Sequence, residues 1–252
     1  MNRQRLIALI FTAASLLFAA AATQAQPGSR PVKYAVLSLI GNKLNLVTAQ
    51  MPTGSHLDRN IQQSVPLTQA PFDGTALATI QALLPPDTFS LYLSSSTALL
   101  APDSLFDGKK LALPQALSDG MKADGATHLL LLTRFRQPTQ LRFTDSKAGY
   151  GQLEGMGFYI DRQQGVKDED SREVSRGFLA PYAYLRLSLI ELSTGAVLAE
   201  RNISASTTVG TVNLKNSVNP WDALSAEEKI ELLNTLLARE LTVTLPLMLA
   251  PR

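Results

Sequence analysis

Ala126-Thr-His-Leu-Leu-Leu-Leu-Thr-Arg-Phe135 is the stretch on which the fold depends. Side chains alternate between two faces along a strand, so four consecutive leucines demand cover on both faces, the condition met in the middle of an α/β sheet. Just before this run, Pro114 to Lys122 reads as a helix weakened by Gly120, and Gly125 stands where a left-handed residue stops a helix.

Toward the amino terminus, Phe89, Leu91 and Leu93 alternate with Ser90, Tyr92 and Ser94, which predicts a strand with one face packed under a helix. That helix is read from Leu77, Ile80, Leu83 and Leu84, with Asp73 or Thr75 as its cap and Pro85-Pro86 as its end. Val32 to Ile40 and Lys43 to Thr48 are strand-like, and Gly41-Asn42 between them predicts a hairpin. A further short strand is expected around Ile61 to Leu67.

Toward the carboxy terminus, Leu185, Leu187 and Leu189 alternate with Tyr184, Arg186 and Ser188, and Ser193-Thr-Gly195 turns the chain into a returning strand from Ala196 to Ser204. Ser225-Ala-Glu-Glu228 is a capping box, and Ile230, Leu233, Leu237 and Leu241 supply the apolar face of the helix it opens. The expected fold is α/β with an α+β tendency: a single mixed β-sheet with packing helices, a long β-hairpin and a C-terminal amphipathic helix.

The first 25 residues have a basic start (Arg3, Arg5), an apolar stretch from Leu6 to Ala22 and the small-residue ending Thr23-Gln24-Ala25. This is the pattern of a secretory signal peptide cleaved after Ala25. Residues 26–252 are then read as one exported domain with long excursions at 49–71 and 136–182, and the periplasm of a Gram-negative cell as its destination. No later segment is expected to cross a bilayer, since Leu241 to Ala250 spans ten residues and contains Pro246. With Arg3 and Arg5 removed from 23 basic residues, 21 remain against 21 acidic ones. Such a balance gives no broad positive field for nucleic acid. The absence of cysteine from all 252 residues removes disulfides, thiolate metal ligands, a cysteine nucleophile and an amino-terminal lipid-anchor cysteine.

The order of elements resembles the periplasmic α/β module shared by the curli secretion-pore protein, the TolB amino-terminal domain and the outer-membrane activators of penicillin-binding proteins. Gly125-Ala126 opening a sheet strand and Ser193-Thr-Gly195 in the hairpin turn carry the resemblance. It implies a non-enzymatic protein acting by contact with envelope proteins in assembly, secretion or scaffolding. The missing lipid-anchor cysteine departs from many members of that group.

Candidate chemistry is sparse. His56 and His128 are the two histidines, and no G-x-S-x-G elbow presents a serine to either. His128, entering a strand, reads as a structural, hydrogen-bonded residue. His56, Asp58 and Arg59 share a loop that could serve a metal, an anion or a partner protein, or a periplasmic hydrolase using His56 and Asp58; a small-ligand or lipid carrier is a further alternative. Asp168-Glu-Asp170 with Glu173 lacks the alternating ligands and central glycine of a calcium loop. No metal, cofactor or catalytic residue is assigned.

Gly149, Gly151 and Gly155 are spaced close to a dinucleotide fingerprint, but Phe158-Tyr-Ile160 follows them where the motif needs a helix. The expectation is instead a twisted ribbon leaving the sheet after Phe135 and returning near Tyr182. One of Phe158 and Tyr159 should pack on the core, and Tyr159, Asp161 and Arg162 are candidate partner-binding residues with the loop trio.

Overall fold

The structure is a computed structural model that describes residues 32–50, 58, 60–94, 96–100, 105–107, 110–142, 147–167, 174–210 and 219–250. They belong to one unit, Pro31–Arg252. The strands are β1 (Tyr34–Leu39), β2 (Lys43–Thr48), β3 (Ile61–Pro66), β4 (Phe89–Tyr92), β5 (Phe106–Asp107), β6 (Lys110–Leu111), β7 (His128–Arg134), β8 (Arg136–Pro138), β9 (Leu141–Arg142), β10 (Lys147–Ala148), β11 (Gln152–Lys167), β12 (Val174–Glu191), β13 (Val197–Ser206) and β14 (Val209–Gly210). The helices are α1 (Pro71–Leu83), α2 (Gln115–Ala123) and α3 (Ala226–Leu249).

β12 organises the sheet, which is mixed and ten-stranded among the described residues. On one of its edges lie β13 and β14. On the other, residues 185–191 pair with β7 and residues 174–184 with β11, so β7 and β11 run end to end. β1 lies parallel to β7 and β2 parallel to β11, so these two strands also run end to end. β4, parallel to β1, and β3, antiparallel to β2, close the two halves on the outside. The α/β expectation with a long hairpin and carboxy-terminal helix therefore holds, and β12 extends the hairpin well before Ala183.

The expected hairpin at Gly41-Asn42 is not formed. Gly41 adopts φ +82°, which bends the chain without reversing it, because Asp73 takes up the amides freed at the bend. Its Oδ1 accepts from Ser38 Oγ at 2.5 Å and from the Ile40 amide at 2.9 Å, and its Oδ2 accepts from the Gly41 amide at 2.9 Å. Burial pushes the Asp73 carboxyl above its ordinary range, while these donors and Arg134 pull it down. Neither Asp73 nor Thr75 caps α1: the helix begins with Pro71 in its first turn, and Thr75 Oγ1 donates to Asn234 Oδ1 of α3 at 2.9 Å.

One face of the sheet carries α1 and α3 through Phe72, Ile80, Leu233, Leu237 and Leu241, which pack with Leu130, Leu132, Phe158 and Leu185. Leu129 and Leu131 face the other way, onto Met121 of α2 and Leu105. The leucine run is thus covered on both faces. Gly125, at φ +81°, ends the α2 turn as expected. On β4 the expected alternation fails beyond Phe89, since Leu91 and Leu93 are exposed at this outer strand.

The capping box of α3 is formed: Glu228 N donates to Ser225 Oγ at 3.2 Å, and Ser225 N donates to Glu228 Oε2 at 2.7 Å. The helix runs through Pro246 for one more turn, closed by the Ala250 amide on the Pro246 carbonyl at 3.0 Å. Because it begins at Ala226, well before Leu241, α3 has by length and composition an 18-residue window as apolar as a membrane span, with mean hydropathy 1.3, which corrects the expectation that no later segment is long enough. Its stripe Leu233, Leu237, Leu241 and Leu245 is buried in the core.

Candidate functional site

β11 begins where β7 ends, and its glycines are an adaptation to that junction. β11 does not leave the sheet as a ribbon; it is an interior strand between β2 and β12, because the glycines admit its neighbours at close range. A Cβ on Gly157 would lie 2.0 Å from the Asn45 carbonyl oxygen and 2.7 Å from Tyr182 Oη. One on Gly155, at φ +68°, would lie 2.9 Å from Arg134 Cδ. Two residues apart, the positions share one face of the strand. The neighbours they admit, Asn45, Arg134 and Tyr182, line a polar cleft.

The cleft has a volume of about 190 Å³ and is walled by Lys43 and Asn45 of β2, Arg134 at the end of β7, Arg136 of β8, Glu154 of β11 and Tyr182 of β12. Asn45 Nδ2 donates to the Glu154 carbonyl at 2.8 Å, tying two walls together. Ser64 of β3 donates to Asn45 Oδ1 at 2.8 Å, an amide that cannot take its proton, so this serine is not activated as a nucleophile. Arg134 Nη2 donates to the Leu100 carbonyl. Arg134 Nε and Tyr182 Oη, by contrast, are buried without a hydrogen-bond partner, and they are the two such side-chain atoms among the described residues. Each costs roughly 1–3 kcal/mol when left unpaired. Burial, reinforced by Glu154 and Tyr184, holds the Tyr182 hydroxyl far above its ordinary pKa, so it is protonated and able to donate.

The residues singled out in the sequence lie elsewhere. His56 and Arg59 fall outside the described residues, as do Asp168, Glu169, Asp170 and Glu173. Asp58 is a stitch between the two excursions: its Oδ1 accepts from the Asn60 amide at 3.0 Å and its Oδ2 from the Gln152 amide at 2.8 Å. Asn60 Nδ2 adds a bond to the Tyr150 carbonyl at 2.5 Å.

Tyr159, expected on a contact surface, is fully buried, as is Phe158 on the opposite face, because both faces are covered here, Phe158 by the helix layer and Tyr159 by Val47, Phe178 and Tyr182. The Tyr159 ring stacks on Phe178 with centroids 6.2 Å apart, its hydroxyl accepts from the Tyr150 amide at 3.2 Å, and burial pushes its pKa up to about 12. Asp161 is buried too, and its Oδ1 accepts from the amides of Gln163 and Gln164, both at 2.8 Å, bracing the bulge where β11 shifts register. Arg162 is exposed and reaches Asn219 Oδ1 at 3.5 Å. His128 is hydrogen-bonded through Nδ1 to Thr127 Oγ1 at 2.9 Å, as expected of a structural histidine.

The cleft was not read from the sequence. Its signal was present in two forms: an arginine directly after a buried leucine run, and glycines two apart on one face of a strand, which mark space taken by a neighbouring side chain. Among the described residues, no group of three or more His, Cys, Asp or Glu is placed to hold a metal ion.

No family model matches the chain, and no curated protein matches it. Among solved structures, it is similar to a neuraminyllactose-binding hemagglutinin homolog from Helicobacter pylori, at 10% identity and TM-score 0.42 over 86% of this chain and 83% of that one. It is similar also to the PelC dodecamer from Paraburkholderia phytofirmans, at 12% identity and TM-score 0.31 over 87% and 89%. A third is a Xanthomonas campestris protein assigned to DUF330, at 10% identity and TM-score 0.31 over 84% and 88%.

Proposed function

We propose that this is an exported envelope protein that acts by contact with other proteins and not by catalysis. The signal-like start and the resemblance to the periplasmic assembly and secretion module support export and the envelope. The observation that carries contact is the state of the outer strands. β3 and β4 pair, among the described residues, only on their inner sides. Natural sheets protect such edges with charge, and β13, also outermost, carries Glu200 and Arg201. β3 (IQQSVP) and β4 (FSLY) carry no charge, and Ile61 is 59% exposed and Leu91 39% exposed. An unguarded edge is a site for strand addition by a partner.

The test is capture of envelope proteins by the wild-type protein and by Ile61→Lys and Leu91→Lys variants, each confirmed folded by circular dichroism. Loss of specific partners from one variant identifies the edge in use. Identical partner profiles from all three proteins would contradict the reading.

A further inference from the structure

We infer that the cleft at the junction of β7 and β11 is a binding site for a small polar molecule bearing an oxyanion, a carboxylate or a phosphate. The lining is cationic in balance: Lys43, Arg134 and Arg136 against Glu154. None of the four forms an ion pair within 4 Å among the described residues. Arginine presents its Nε and Nη hydrogens as a rigid fork suited to two oxygens of one anion. Here one branch is held by the Leu100 carbonyl while Nε stays unpaired, so the guanidinium is fixed in place with a donor to spare. Tyr182, another lining residue of the same cleft, carries a second donor, its Oη, that is buried and likewise unpaired.

Buried polar groups are ordinarily satisfied, and two unsatisfied buried donors on side chains that both line one cationic cleft are an arrangement that an anion can complete by a small shift of either side chain. The sequence maintains the arrangement at a cost to the strand. Glycine is unfavourable inside a strand, yet β11 carries it at 155 and 157, where any larger residue would collide with Arg134 or Tyr182. The cleft's volume of about 190 Å³ has room for the charged end of a small molecule such as an amino acid or a small dicarboxylate. The cleft takes Gln62, Gln63 and Ser64 of its lining from the outer strand β3, but the charged groups that hold the anion lie on β2, β7 and β8, so failure of anion binding would leave strand addition at the edges standing.

Calorimetric titration of the purified protein with succinate, inorganic phosphate and the neutral succinamide tests the inference, with amide chemical shifts of Gly155 and Gly157 locating the site. Succinate or phosphate is expected to bind saturably and to move those amides, succinamide to do neither, and the preferred anion reports which oxyanion the cleft takes. Arg134→Gln and Tyr182→Phe are each expected to weaken binding at least tenfold. Tyr182→Phe guards against a trivial loss through unfolding, because removing an unpaired hydroxyl leaves the melting midpoint of the free protein unchanged or raised. No saturable binding of either anion up to about 10 mM, binding undiminished in both variants, or shifts confined to another part of the protein would overturn it.

Discussion

β7 and β11 lie end to end on the same edge of β12, yet one is His-Leu-Leu-Leu-Leu-Thr-Arg and the other opens Gln-Leu-Glu-Gly-Met-Gly-Phe-Tyr-Ile. β7 fills both faces with side chains of one size and packs between α2 and the α1–α3 layer. β11 packs Met156 and Phe158 on its helix face, but on the other it gives up its own side chains at 155 and 157 to make room for Arg134 and Tyr182. The first half of the sheet maximises burial, at about 25 cal/mol per Å² of apolar area. The second half gives up part of that stabilisation to hold polar groups in fixed positions, which is the usual mark of a site and not of a core.

The comparison breaks most visibly under substitution of the glycines. Gly157→Ala places a methyl against the backbone oxygen of Asn45, which no rotamer change relieves, and should cost about 3 kcal/mol or more in chemical denaturation. Gly120→Ala, in α2 with open space around the new methyl, should instead stabilise by about 0.5–1 kcal/mol. If Gly157→Ala were neutral, β11 would not be packed as described. On the β7 side, Leu131→Ala empties a fully buried position and should cost about 3 kcal/mol by the same measurement.

The joint between the halves should respond less. Asp73→Ala leaves the Ser38 hydroxyl and the Ile40 and Gly41 amides without their acceptor and should cost about 2 kcal/mol, with a wild-type-like circular dichroism spectrum. The smallest effect is far from both halves, at the start of α3. Ser225→Ala should cost about 1 kcal/mol at neutral pH. Its hydrogen bonds with Ser225 hold the Glu228 carboxyl below its ordinary 4.5. A folded-state pKa lower than the unfolded one stabilises above the unfolded value, and that stabilisation is lost as pH falls through the folded value. Since the first of those bonds comes from the Ser225 backbone amide, the variant that removes it is Glu228→Gln, and the difference in melting temperature between wild type and that variant should be constant at neutral pH and shrink as the medium is acidified below 4.5.

The two halves also differ in how far the sequence reveals them. Leu129 to Leu132, Gly125 and the Ser225 capping box specify their local structure through short-range rules, and each is found as read. Gly41-Asn42 obeys the same hairpin rule and yet does not make one, because the acceptor that satisfies the bend is Asp73, 32 residues away. The glycines of β11 fail for the same reason: what they accommodate comes from Asn45, Arg134 and Tyr182, none of them local in sequence. Tyr159 and Asp58 looked like free surface chemistry because polar atoms in a long polar segment look accessible, whereas each is committed to a backbone amide that the fold brings to it, and Asp161 is buried on the amides of its own bulge, a local turn missed in the sequence.

The position of β11 inside the sheet is the claim on which both the cleft and the correction of the hairpin depend, and amide hydrogen exchange tests it directly. The amides of Met156 to Ile160 should be protected to within about tenfold of those of Leu129 to Leu132, since both segments open only with the core. Exchange in β11 faster by several orders of magnitude, at the rate of a peripheral ribbon, would contradict it.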